Sequence, residues 1–320
     1  MSIDPHRLWR SRLKNGLQTL LILASLALVV ALPGYLLAGG LGVVASLVVV
    51  MTGVYASSWV PARVILANAG AGLLERHQAP TLYRVLDLLY RRAGLSDSPQ
   101  LFYLPSPDLN AFAVGSGDNG GITVSDGLLR TLTLRELAGV LAHEVSHLRH
   151  GDTRVMSMAA AMTRLTLWLT TLLQVSLLLM LPLILTGEMT LPWGVLLVVA
   201  FAPTLSTLLQ LALSRNREYT ADLDAVTLTG DPEGLASALA VLERHHGRWL
   251  ATLFGRQPPT DVEWLRTHPP TEERIRRLMA AGHQHPPLHS HLDEEHVQAP
   301  PEILGYPNPM DRRYWRHRRR

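Results

Sequence analysis

Cysteine is absent from the 320-residue chain, Lys14 is its only lysine, and charged residues make up just 17% of it. Without cysteine there is no disulfide framework and no thiolate metal site, so any metal must be held by His, Asp or Glu. The absence also suits a cytosol-facing domain. The charge deficit, against about 25% in soluble domains, and a mean hydropathy of +0.15 point to membrane spans. Arginine carries nearly all the positive charge, scattered through every segment, and the formal net charge is +3. That mild balance, with no fold or motif behind it, gives no reason to expect nucleic acid as a partner.

What is present is long uncharged apolar sequence. Residues 17–38 and 42–60 are runs of about 22 and 19 residues, and 165–185 and 191–213 of about 21 and 23, each long enough to span a bilayer. Pro33-Gly34 and Gly39-Gly40 punctuate the first pair, which reads as a helical hairpin. A cleaved signal peptide fits poorly, because a second run follows at once. The second pair has no polar face, so spans are preferred to buried core helices. Arginines lie in 1–16, in 63–84, at Arg149 and Arg154, and at Arg215 and Arg217, while the turns at 33–42 and 186–190 have none. By the positive-inside rule both termini and the region between the pairs face the cytoplasm.

Between the pairs the composition is globular. A helix is predicted over 81–92, ended by Gly94, followed by strands over Gln100–Leu104, Ala111–Val114 and Gly121–Ser125, the last two joined by a turn-rich connection. The exposed edge of such a sheet can receive an extended peptide. Thr133 and Glu136 then form a capping box, and Leu134, Leu137, Leu141, Val145 and Leu148 make the apolar stripe of a helix.

That helix carries His143-Glu144-Val145-Ser146-His147, an H-E-x-x-H pattern. Positions i and i+4 share a helix face, so His143 and His147 can offer two imidazole nitrogens to one ion, with Glu144 beside them to take a proton from water. The bland reading is two surface histidines on an amphipathic helix. A third donor appears after the fourth run, in Ser214-Arg-Asn-Arg-Glu-Tyr-Thr-Ala-Asp222. Glu218 and Asp222 are one turn apart, where like charges repel on a plain surface. The pair makes sense if Glu218 binds the metal and Asp222 orients a ligand imidazole. Further helices are predicted from Asp231-Pro232 to about His245 and over Thr271–Met279.

Three segments, 143–152 (HEVSHLRHGD), 214–222 (SRNREYTAD) and 267–278 (THPPTEERIRRL), resemble the motifs of HtpX-type integral-membrane zinc metallopeptidases, related to the CaaX prenyl endopeptidases. The stretches NAFAVG (110–115) and GITVSDGLLRTL (121–132) are similar to that family's edge strand and pre-catalytic region. The likeness covers about residues 10–282, with the motifs in the family's order. It implies one zinc ion held by His143, His147 and Glu218, with Glu144 as general base and Asp222 behind a ligand. It also implies Asn110, Ala111, Phe112 and Ala113 as a substrate-binding edge. His268 and Arg274, and less so Tyr219, are candidates for oxyanion stabilisation, against a packing role for His268 and carboxylate pairing for Arg274.

The expected fold is mainly α with a small β-sheet (α+β): a membrane-anchored, zincin- or gluzincin-like catalytic domain with about four transmembrane helices. Its parts are a basic N-terminus and hairpin (1–60), two catalytic segments (61–154 and 214–282) flanking a second hairpin (155–213), and a His/Pro/Arg-rich, disordered tail (283–320). The expected activity is zinc-dependent endoproteolysis of membrane or misfolded proteins at the cytoplasmic face of a bacterial inner membrane. A prenyl-protein endopeptidase and a catalytically silent scaffold or chaperone are the alternatives. Retention of Glu144 argues against the scaffold, since a structural zinc site needs no carboxylate there.

Overall fold

The fold is taken from a computed structural model describing residues 5–58, 62–68, 70–96, 100–115, 120–188, 190, 193–254, 270–281 and 287–288. Its contacts divide into two compact units. One is built from Val60–Thr153 and Arg217–Arg320, the other from Asp4–Trp59 and Arg154–Asn216.

The first unit is a small mixed sheet covered by helices. After α2 (Ala62–Asn68) come β1 (Gly72–Leu74), α3 (Pro80–Ala93), β2 (Gln100–Leu104), β3 (Ala111–Val114), β4 (Gly121–Ser125), α4 (Asp126–Thr131) and α5 (Leu134–His150). The three expected strands form where predicted, and β1 joins them. The sheet order is β1-β2-β4-β3, with β2 and β4 parallel and the other pairs antiparallel. β3 is therefore an edge. Alternation divides the strands between two faces: Leu101, Tyr103, Ile122 and Val124 enter the main core, while Phe102 packs with Leu66 and Ala71 on the other side.

The main core is supplied by α3, α5, the end of α7 (Trp193–Thr229), α8 (Pro232–Phe254) and α9 (Thr271–Ala281). All five predicted stripe residues of α5 are buried, Leu134 to Leu148, and each such leucine stabilises the fold by about 1.5–3 kcal/mol. The Thr133–Glu136 capping box forms as expected. At the other end Gly151 adopts φ +64°, a left-handed turn that ends α5 and lets a new helix start at Asp152. Asp231 accepts from the Gly234 N–H and takes both arms of Arg135, tying the start of α8 to α5. Of the tail expected beyond Gly282, only Pro287 and Leu288 fall within the described residues. Leu288 is buried in the main core.

The second unit contains most of α1 (Pro5–Ser58), most of α6 (Asp152–Leu185) and the first part of α7. Among the described residues three helices are long and apolar enough to cross a membrane. One of these, α1, is broken at Ala38–Gly39, where Gly39 has φ +58°. A methyl group added at Gly34 would meet the Gly42 carbonyl oxygen at 2.7 Å. Residues eight apart in one straight helix lie about 12 Å apart along its axis, so the chain reverses here, and small residues let the two arms touch. Within the apolar stretches hydroxyls are satisfied internally: Thr166 and Thr170 donate to carbonyls one turn back, and Ser206 bonds Thr163 at 3.1 Å. Leucines, with Trp168 and Trp193, cover the outer surface, as lipid-facing helices require.

Candidate metal centre

Two helices of the first unit bring the expected residues together. α5 presents His143 and His147 on one face, and the last turns of α7 present Glu218 and Asp222 toward them. The imidazole Nε2 atoms of His143 and His147 are 3.1 Å apart. Glu218 Oε2 lies 3.5 Å from the first, and Oε1 3.9 Å from the second. Metal–nitrogen and metal–oxygen bonds near 2.05 Å at tetrahedral angles separate neighbouring ligand atoms by about 3.3 Å. The three side chains thus form a group able to hold one metal ion, and the donor set of two nitrogens and a carboxylate suits a divalent transition ion.

Each imidazole is held from behind. Nδ1 of His143 is 3.0 Å from Asp222 Oδ1, and Nδ1 of His147 is 2.7 Å from Asp152 Oδ2. Carboxylates on Nδ1 fix the tautomer and leave Nε2 for the ion. Each carboxylate in turn meets an arginine. Arg274 of α9 gives Asp222 two hydrogen bonds of 2.7 Å, and Arg217 pairs with Asp152. One turn beyond His147, Asp224 accepts from His150 at 2.5 Å and approaches Arg149, so α5 and α7 are linked along their shared face.

This wiring governs protonation of the metal-free site. Burial disfavours charge on both rings. For His143 the hydrogen bonds its ring donates to Asp222 and Glu218 outweigh it, pushing the ring up to about 10. For His147 burial, reinforced by the neighbouring His143 charge, lowers it to about 4. A proton on His143 therefore sits where the three donor atoms converge, the position a metal ion would take.

Glu144 lies on α5 next to His143 and is buried. Arg274 is buried with both Nε and Nη2 committed to Asp222, and Nη2 lies 3.4 Å from Glu218. Tyr219 carries the Arg277 guanidinium over its ring at 3.8 Å. Asn110 precedes edge strand β3, its N–H held by Ser125. Ala111 and Ala113 pack toward the core that contains α5, and Phe112 toward the opposite face. His268 lies outside the described residues. Sequence reasoning passed over Asp152 and Arg217, although both stand inside the motifs, five residues after His147 and one before Glu218.

The model of peptidase family M48 matches residues 76–281, nearly two-thirds of the chain. The chain belongs to peptidase family M48. Within that family its relatives include the protease HtpX homolog of Acaryochloris marina, 38% identical over 234 residues, 69% of this chain and 79% of the relative. Another is the HtpX homolog of Acidiphilium cryptum, 34% identical over 285 residues, 82% and 96% of the respective chains. A third, from Pyrococcus abyssi, is 32% identical over 77% of this chain and 88% of its own. Among solved structures the crystal structure of S. mikatae Ste24p aligns with a TM-score of 0.47 and 17% identity, covering 85% of this chain and 66% of that one. This M48 chain is a membrane metallopeptidase of the HtpX type.

Proposed function

We propose that this M48 peptidase is a zinc endopeptidase with one ion per chain, held by His143, His147 and Glu218, and that Glu144 is its general base. The supporting observation is the convergence of the three side chains: the two Nε2 atoms lie 3.1 Å apart, and the Glu218 carboxylate approaches them at 3.5 Å through Oε2 and 3.9 Å through Oε1, with a carboxylate behind each ring. A bound zinc ion supplies Lewis acidity and an acidified water. Glu144 would take a proton from the attacking water and hand it to the departing amine as the peptide bond breaks. Asp222, anchored by Arg274, holds His143 in register and stabilises its ring. Arg274 serves in this reading as that anchor, and His268 remains the candidate donor to the oxyanion. An extended substrate pairs with the free edge of β3 from Asn110 to Ala113, where backbone hydrogen bonds bind any sequence and suit unfolded protein.

In this proposal the catalytic unit lies at the cytoplasmic face, the orientation the arginine distribution supports, of a bacterial inner membrane, and acts on membrane or misfolded proteins in quality control. Purified wild type and Glu144→Gln, compared in detergent with an unfolded protein, test the reading. Equal zinc with cleavage lost in the variant is expected. Zinc-loaded wild type that never cleaves contradicts it.

A further inference from the structure

We infer that Asp152 and Arg217 are a positioning pair for His147, so that one metal ligand is set by residues at the site ends of the two helices that run into the second pair of apolar stretches. The inference rests on the proposed role of His147 as a ligand and adds what holds it.

Five residues separate His147 from Asp152. In an uninterrupted helix that interval rotates the side chain by about 140°, to a different face. Gly151, in the left-handed conformation, breaks the helix between them, and its N–H closes α5 on the His147 and Leu148 carbonyls. α6 then begins at Asp152, whose carboxylate turns back to within 2.7 Å of His147 Nδ1. The geometry therefore depends on the helix break, and a substitution that let α5 run on would remove it.

Asp152 is 3% exposed, and its buried carboxylate needs a countercharge. Arg217 supplies it through Nη2, which also lies 3.5 Å from the carbonyl of His150, the last residue of α5. One guanidinium thus meets the negative end of α5, the first residue of α6, and its own position on α7, one residue before ligand Glu218. The other ring is held differently. Asp222 and Arg274 join α7 to α9, whereas Asp152 and Arg217 join α6 to α7. Only the second arm depends on where α6 and α7 start and end.

The test uses the full-length protein in detergent and reads metal binding rather than proteolysis. Zinc dissociation constants are measured by competition with a chromophoric chelator for wild type, H147A, D152N, R217Q and D152N/R217Q. Metal-free melting temperatures and the visible spectra of the cobalt-loaded forms accompany them. D152N leaves the half-buried Arg217 without its Asp152 partner and lowers the melting temperature. D152N/R217Q removes the stranded charge, and the melting temperature recovers. If Asp152 positions His147, zinc affinity stays roughly 10–100-fold below wild type in both, with an altered cobalt spectrum. If the pair only stabilises the fold, affinity and spectrum return with the melting temperature in the double variant, and the inference is overturned. Affinity in D152N within threefold of wild type overturns it as well. H147A separates the two levels: unchanged zinc binding there removes His147 as a ligand and the inference with it.

Discussion

Asp222 accepts two hydrogen bonds of 2.7 Å from Arg274 while its Oδ1 lies 3.0 Å from His143 Nδ1, so one buried carboxylate serves an arginine and the ring of a proposed metal ligand together. Removing either partner has a different cost. Asp222→Asn keeps the shape but weakens the hold on His143, and zinc affinity is expected to fall about 10–100-fold. Arg274→Met leaves the carboxylate buried without its main countercharge, and the metal-free protein should lose about 3–5 kcal/mol of stability. Chelator competition reads the first and denaturant melts the second. An Arg274→Met protein as stable as wild type would show that the pair is not needed for the fold.

The metal-free site has a pH signature. His143, held at about 10 against an ordinary 6.5, contributes stability that is complete below about pH 6.5 and is lost as pH rises through 10. His147 works the other way. It stays neutral when folded down to about 4, so stability falls as pH drops from 6.5 toward 4, where only the unfolded chain takes the proton. Between pH 7 and 10.5 the melting temperature of the metal-free wild type should therefore fall further than that of His143→Gln. Zinc loading at pH 8 should release about one proton from His143, measurable by calorimetry in buffers of different ionisation enthalpy. Loading without proton release would contradict the arrangement.

Gly139 brings α5 against α8. A methyl group there would stand 2.9 Å from both the backbone nitrogen and Cα of Leu235, atoms that cannot swing aside. Gly139→Ala should cost about 1–3 kcal/mol through overpacking, despite alanine's better helix propensity. A denaturant midpoint equal to or above wild type would refute this.

Residues 165–213 lie between His147 and Glu218 in the chain. Their removal should abolish zinc binding along with membrane insertion, because α6 and α7 bring Asp152 and Glu218 to the site. A soluble excised form that still holds zinc one to one would disprove that dependence.

How far this was legible in the sequence follows from the range of each signal. α5 could be read because Thr133, Glu136 and the leucine stripe are local, and each forms as expected. The Glu218–Asp222 pair could be read because two carboxylates one turn apart are anomalous on a surface. Strand β1 could not, since three residues are too few to display alternation. Asp152 was hidden by its position. At the start of a long apolar helix it reads as an ordinary acidic first turn, and its reach back to His147 depends on the left-handed backbone of Gly151. Arg217 reads as one of several basic residues flanking a span. The break in α1 was legible at Gly39-Gly40, whereas the Gly34–Gly42 contact belongs to packing.

The central claim is that two histidines of α5 and a glutamate of α7 share one ion. The direct measurement is metal content by mass spectrometry of the purified full-length protein and of Glu218→Ala, both folded by circular dichroism. The account predicts one zinc per wild-type chain and almost none in the variant at the same free zinc concentration. One zinc per chain in Glu218→Ala would contradict it.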